Sequence, residues 1–159
     1  MASAGMILSR RVALAMIKAV IVAGDLPASA EARPRIVVHK DPKCGCCTSW
    51  VKFLEQARFP AVVMETSALD AVKRRLGVPD EFASCHTAEI EGYVLEGHVP
   101  VAAILRLLAE KPKATGLAVP GMPIGSPGME VGPPENYEVV LFGPEGRSSY
   151  GRFRGERAL

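Results

Sequence analysis

Three of the four cysteines of the 159-residue chain fall in one short run, Cys44-Gly45-Cys46-Cys47, and the fourth, Cys85, stands far along the chain in Ser84-Cys85-His86-Thr87. Sulfur crowded in this way supports two chemistries. Cys44 and Cys47 have the Cys-x-x-Cys spacing of dithiol redox sites, where one thiolate attacks and the other resolves. A third thiol at Cys46 diverts such exchange into competing disulfides, whereas Cu(I) is a soft ion well served by several thiolates. Cys46 and Cys47 are neighbours whose side chains diverge, so bridging several ions is easier than chelating one. The pattern predicts a site for Cu(I), in more than one copy, on Cys44, Cys46, Cys47 and Cys85. The alternative is a thiol–disulfide oxidoreductase using Cys44 and Cys47, and the third reading is a small domain stapled by disulfides or zinc.

Nitrogen and thioether donors extend the candidate set. His86 adjoins Cys85, where it either coordinates or points to solvent; His98, in Gly97-His98-Val99-Pro100, is either a ligand or a polar turn residue. Met122 and Met129 sit in Gly121-Met122-Pro123 and Gly128-Met129-Glu130, surrounded by residues with little core of their own to fill. His39 is close to the cysteine run in sequence, but strand alternation allows it the outer face. Trp50 is most simply core.

The elements around the cysteines explain why their position matters. Arg35-Ile36-Val37-Val38-His39 reads as a buried strand that must turn at Asp41-Pro42, and Cys47, Trp50, Val51, Leu54 and Ala57 then recur at roughly helical spacing. Thiolates at a helix N-terminus face unpaired N–H groups and the positive end of the macrodipole, and Lys43 adds a cation nearby. Farther on, the sequence predicts a strand over Ala61-Val62-Val63-Met64 and a helix opened by a capping box of Ser67 with Asp70, carrying Leu69, Val72 and Leu76 and stopped by Gly77 and Pro79. A strand from Ile90 to Leu95 comes next, then a helix opened by Pro100 with Val101, Ile104, Leu105 and Leu108 on one face. A closing hairpin joins Glu138–Phe142 to Tyr150–Phe153 through Gly143-Pro144-Glu145-Gly146. This alternation predicts an α/β class with a mixed sheet flanked by helices. Nearly half of the residues from Pro112 to Pro134 are Gly or Pro, which argues against an ordinary helix or a central strand there and for a functional loop.

Composition and charge narrow the partners. With 48% hydrophobic and 23% charged residues the chain is a globular protein with one domain's worth of length. Residues 1–30 carry Arg10, Arg11 and Lys18 against Asp25 and leave the remainder formally neutral, without the positive field that draws proteins to nucleic acid. The same segment has a secretory plan: Ser9-Arg10-Arg11, an apolar run from Val12 to Gly24, and small residues at Ala28-Ser29-Ala30. It predicts a signal peptide over 1–30, a mature domain over 31–159 and a periplasmic location. The apolar run, interrupted by Lys18, is too short to span a bilayer, so no membrane span remains after cleavage.

Taken together, Asp41-Pro42-Lys43-Cys44-Gly45-Cys46-Cys47, Ser84-Cys85-His86-Thr87, the run Glu91-Gly92-Tyr93-Val94-Leu95-Glu96-Gly97-His98-Val99-Pro100 and the segment from Gly116 to Glu130 resemble the exported CopG-type copper-resistance family, long filed as a domain of unknown function. The resemblance implies a thioredoxin-like periplasmic domain that binds copper through Cys44, Cys46, Cys47 and Cys85 and serves copper tolerance, with His86, His98 and Met122 in or beside the site. It implies copper ions and a periplasmic copper or electron-transfer protein as partners, and leaves open whether copper is cargo or a redox centre. A thioredoxin-like fold sets a cis-proline loop against the cysteine turn; Val119-Pro120 is the candidate, which would bring Met122 close to the thiolates.

Overall fold

The first β-branched run forms β1, Ile36–Lys40, and buries Ile36, Val38 and Lys40 while His39 keeps to the half-exposed side. The computed structural model describes Met1 and residues 32–159; apart from Met1, the expected leader lies outside the described residues. In chain order β1 is followed by α1 (Gly45–Gln56), β2 (Ala61–Glu65), α2 (Leu69–Leu76), a 3-10 turn (Asp80–Phe82), β3 (His86–Ile90), β4 (Tyr93–Glu96), α3 (Val101–Glu110), β5 (Gly116–Ala118), β6 (Asn136–Gly143), β7 (Gly146–Arg154) and β8 (Arg157–Ala158). The strands form one sheet in the order β2-β1-β3-β4-β5-β6-β7-β8. Among the described residues only β1/β2 and β4/β5 pair in parallel, each across a helical crossover, α1 and α3 respectively. No helix among the described residues is long and apolar enough to cross a membrane.

Helix α1 follows its sequence pattern. Cys47, Trp50, Val51 and Leu54 are buried at helical spacing, and the Cys44 Sγ caps the helix by accepting the Cys47 N–H at 3.3 Å. The apolar stripe joins Ile36, Val38, Ala88, Leu95, Ile104, Leu107, Leu117 and Val139 in the main core. Truncating a fully buried side chain such as Leu54 to alanine removes apolar contact and leaves a cavity, at about 2–5 kcal/mol.

Four expectations need correction. Ile90 to Leu95 is not one strand: β3 ends at Ile90 and β4 starts at Tyr93, joined by Glu91-Gly92, both at positive φ (48° and 83°). That two-residue turn matches the twist of the paired strands, and the apolar run merely straddles it. Ser67 does not cap α2, which begins one residue later with Ala68 at the N-cap and no side-chain cap; Thr66 Oγ1 instead accepts the Ala68 N–H at 3.0 Å. The Gly/Pro-rich segment does contain a central strand, β5, between β4 and β6. Its first residue must lack a side chain, because a Cβ on Gly116 would lie 1.8 Å from the Val94 carbonyl oxygen. Finally, no peptide bond among the described residues is cis. Val119 continues the extended course of β5 by donating its N–H to Glu96 O, and Pro120 is exposed, so nothing there packs a cis bond into place.

Candidate metal centre

Backbone pairing brings the two cysteine segments together. β1 runs antiparallel to β3 with Lys40 opposite His86, so the chain leaving β1 for the cysteine turn passes the chain entering β3 from Cys85. All four sulfurs lie within 4.8 Å of one another. Cys44 and Cys47 are joined in a disulfide with their Cα atoms 5.4 Å apart, and Cys46 and Cys85 are free thiols. Cys46 Sγ stands 3.5 Å from Cys44 Sγ and 3.9 Å from Cys85 Sγ.

A second grouping shares Cys85. Its sulfur is 3.3 Å from His86 Nδ1 and 3.2 Å from His98 Nε2, and the three donor atoms lie within 4.8 Å of one another. His98 Nδ1 is 2.7 Å from Pro127 O, a carbonyl that can only accept, so Nδ1 carries the proton and the Nε2 lone pair faces the sulfur. The His86 ring packs against Trp50, with centroids 4.4 Å apart, and meets His98 edge-on at 5.0 Å. Its Nε2 is buried without a hydrogen-bond partner among the described residues. Two imidazoles that each turn a ring nitrogen toward the Cys85 sulfur form with it a donor set suited to a soft or borderline metal ion.

Burial sets the protonation states. It pushes the Cys85 thiol up to about 12, and the neighbouring Cys46 adds to the effect. Burial likewise holds His86 and His98 below the ordinary imidazole value, reinforced at His86 by His98 and Lys73 and opposed at His98 by Pro127 O and Glu130. The imidazoles are therefore in the neutral form that binds metal, while Cys85 needs a metal to displace its proton.

The Gly/Pro-rich loop covers this centre. Gly128, at φ +87°, lies so close to α1 that a Cβ would meet Cys46 O and Trp50 N at 2.8 Å each. Gly121 O accepts from Ser84 Oγ at 3.2 Å, tying the loop to the neighbour of Cys85. The structure thus gathers Cys44, Cys46, Cys47, Cys85, His86 and His98. Met122 belongs to the covering loop and is 52% exposed. His39 stands apart, bonded to Glu89 at 2.9 Å. Trp50 is core, as expected, and also donates from Nε1 to Val99 O at 2.9 Å.

Sequence reasoning missed a polar layer beneath the centre. Glu96 and Thr87 are fully buried and Lys73 nearly so, with the Lys73 ammonium bonded to the Glu96 carboxylate. The one available signal was a glutamate ending the apolar run Tyr93-Val94-Leu95.

Fold and site define a mixed α/β protein with a sulfur- and imidazole-rich cluster able to hold a metal. A family described as a protein of unknown function, DUF411, matches residues 82–129. Two solved structures resemble the chain, each at 46% identity and a TM-score of 0.72: "Copper resistance protein copG", Form 2, covering 76% of this chain and 98% of that one, and Form 1, covering 77% and 99%. No curated protein matches. At that identity over nearly the whole length of those chains, this protein belongs to the CopG-type copper-resistance family.

Proposed function

We propose that the chain is a copper-binding protein of copper resistance that takes up Cu(I) as cargo on Cys44, Cys46, Cys47 and Cys85, with His86 and His98 as nitrogen donors and Met122 at the edge of the site. The observation that carries the reading is the approach of Cys85 Sγ to Cys46 Sγ, 3.9 Å, and to His98 Nε2, 3.2 Å, from segments remote in sequence. Cys85 belongs to both donor groupings, and a thiolate can bridge, so one sulfur shared between two sets favours more than one ion. For all four sulfurs to bind, the Cys44–Cys47 disulfide must first accept two electrons from an external dithiol, which is oxidised to a disulfide in exchange, and Cys44 and Cys47 are left as thiolates. Sequestration keeps Cu(I) from reacting with other thiols.

The rest of the proposal is organisational. Residues 1–30 act as an export signal, the domain over 31–159 works in the periplasm, and a periplasmic copper or electron-transfer protein exchanges with it. We assign a thioredoxin-like core on the β1-α1-β2 unit with its cysteines at the strand-to-helix turn, followed by the β3-β4 hairpin and α3.

The test is metal analysis, with a copper K-edge spectrum for valence, on reduced protein made without residues 1–30 and loaded with Cu(I). Wild type should retain copper, and Cys46→Ser should lower the copper-to-protein ratio; an unchanged ratio overturns the cluster. A second reading, thiol–disulfide exchange through Cys44 and Cys47, draws support from the disulfide between them. Insulin reduction by the metal-free protein that survives Cys46→Ser would favour it.

A further inference from the structure

The segment bearing Cys85 and His86 is held by a buried ion pair that touches no sulfur. Lys73 Nζ donates to Glu96 Oε1 at 2.5 Å and to Thr87 Oγ1 at 2.9 Å. Thr87 Oγ1 donates to Glu96 Oε2 at 2.6 Å, and the Ser84 backbone N–H donates to Glu96 Oε1 at 2.6 Å. Lys73 is the buried residue of α2, a helix whose other side chains are half-buried or exposed.

Burying two charges is a poor way to gain stability, since the loss of hydration offsets much of their attraction and apolar replacements are often as stable. What such a pair does supply is direction. The bonds converge on the two residues that bracket the candidate ligands, Ser84 just before Cys85 and Thr87 just after His86. Glu96 itself stands two residues before His98. The intervening Gly97 donates its N–H to His86 O at 3.1 Å, and a Cβ there would meet Ser84 Oγ at 2.8 Å. One carboxylate therefore fixes the 84–87 segment against the 96–98 segment, and with it Cys85 Sγ against His98 Nε2.

We infer that Lys73 and Glu96 are positioning residues for the metal centre, holding Cys85 at its distance from Cys46 and His98 through Ser84 and Thr87. The inference rests on the metal-binding reading above, and its test separates the two. Metal-free protein with the Cys44–Cys47 disulfide intact is treated with a short bifunctional thiol reagent, and Cys46–Cys85 bridging is followed by peptide mass mapping. The same proteins, reduced, are titrated with Cu(I) against a competing chelator. Lys73→Met combined with Glu96→Leu removes both charges and, with the carboxylate, the acceptor shared by Ser84 and Thr87; Arg147→Ala, which breaks an exposed ion pair with Glu81, is the control.

The double variant should keep the wild-type circular dichroism and a cooperative melt, yet lose roughly tenfold or more in both bridging rate and Cu(I) affinity, the scale seen when outer-shell partners of metal ligands are removed. A folded double variant with wild-type bridging and affinity overturns the inference. If the double variant does not fold, Thr87→Val, which breaks the link between the pair and the residue after His86 while leaving Lys73 and Glu96 paired, is read the same way. If wild type binds no copper but the bridging rates still differ, the metal reading falls and the positioning of the thiols stands.

Discussion

Cys46 Sγ lies 3.9 Å from Cys85 Sγ although the two residues are 39 positions apart, and the cause is strand register: Lys40 opposite His86 sets the exit from β1 beside the entry to β3. A one-residue slip would invert every side chain of β3, but Val38 and Ala88, paired across the ladder, are both fully buried and resist it. The sulfur cluster is thus fixed by the same apolar alternation that builds the sheet.

Because Cys85 belongs to both donor groupings, Cys85→Ser should reduce bound copper at least as far as Cys46→Ser does. Metal analysis after desalting of the two variants, loaded side by side, checks this. Copper retained better by Cys85→Ser than by Cys46→Ser would show that Cys85 is peripheral.

The shifted ionisations predict opposite pH effects on the metal-free fold. Cys85 rises from an ordinary 9.0 to about 12, so the folded state holds its proton more tightly than the unfolded chain, and stability should fall as pH climbs from 9 toward 12. His86 and His98 are shifted down, so folding disfavours their protonation, and stability should also fall as pH drops below the ordinary 6.5. Cu(I) binding displaces the Cys85 proton while the imidazoles are already neutral. Affinity near neutral pH should therefore rise with pH by about tenfold per unit for each thiol proton displaced. Denaturant melts and chelator competition across pH provide the readouts; an affinity flat between pH 6 and 8 would mean Cys85 is not ionised on binding.

Trp50 is core and hydrogen-bond donor at once. Trp50→Phe keeps most of the apolar volume but leaves Val99 O, just after His98, without the indole N–H. The expected cost is about 1–3 kcal/mol, the range for a buried polar group that loses its partner. Urea unfolding measures it, and a Trp50→Phe protein as stable as wild type would mean that water replaces the indole.

The cysteine turn, α1, the span of α3 and the closing hairpin were legible because each rests on a local rule: Cys-x-x-Cys spacing, an apolar run at helical period, a Gly/Pro turn; the inward face of α3 was misread, since Ala103, Ile104 and Leu107 are buried and Leu105 is exposed. What stayed hidden depends on partners far away in sequence. Gly116 reads as a loop residue until Val94 O is found against it, and only that contact explains a central strand in a Gly/Pro-rich stretch. Lys73 reads as one more cation of an exposed helix face until Glu96 and Thr87 meet it in the interior. The Glu91-Gly92 turn is the exception. It was locally encoded, but the apolar residues on either side read more simply as one strand.

Gly128 offers the sharpest test of how the covering loop serves the centre. A methyl group there would meet Cys46 O and Trp50 N at 2.8 Å, backbone atoms of α1 that cannot swing aside, and the residue's φ of +87° is strained for any side chain. Gly121, at φ +72°, has open space around its missing Cβ. Gly121→Ala should therefore cost only the left-handed backbone penalty, about 1–2 kcal/mol, whereas Gly128→Ala must also lift the loop from α1. Lifting it withdraws Pro127 O from His98 Nδ1, the contact that holds the Nε2 lone pair toward Cys85. Gly128→Ala should consequently show both the lower melting temperature and a weaker histidine contribution to the copper X-ray absorption fine structure, with Gly121→Ala close to wild type in the second. Equal histidine signals in the two variants would mean that the loop packs over the centre without orienting His98.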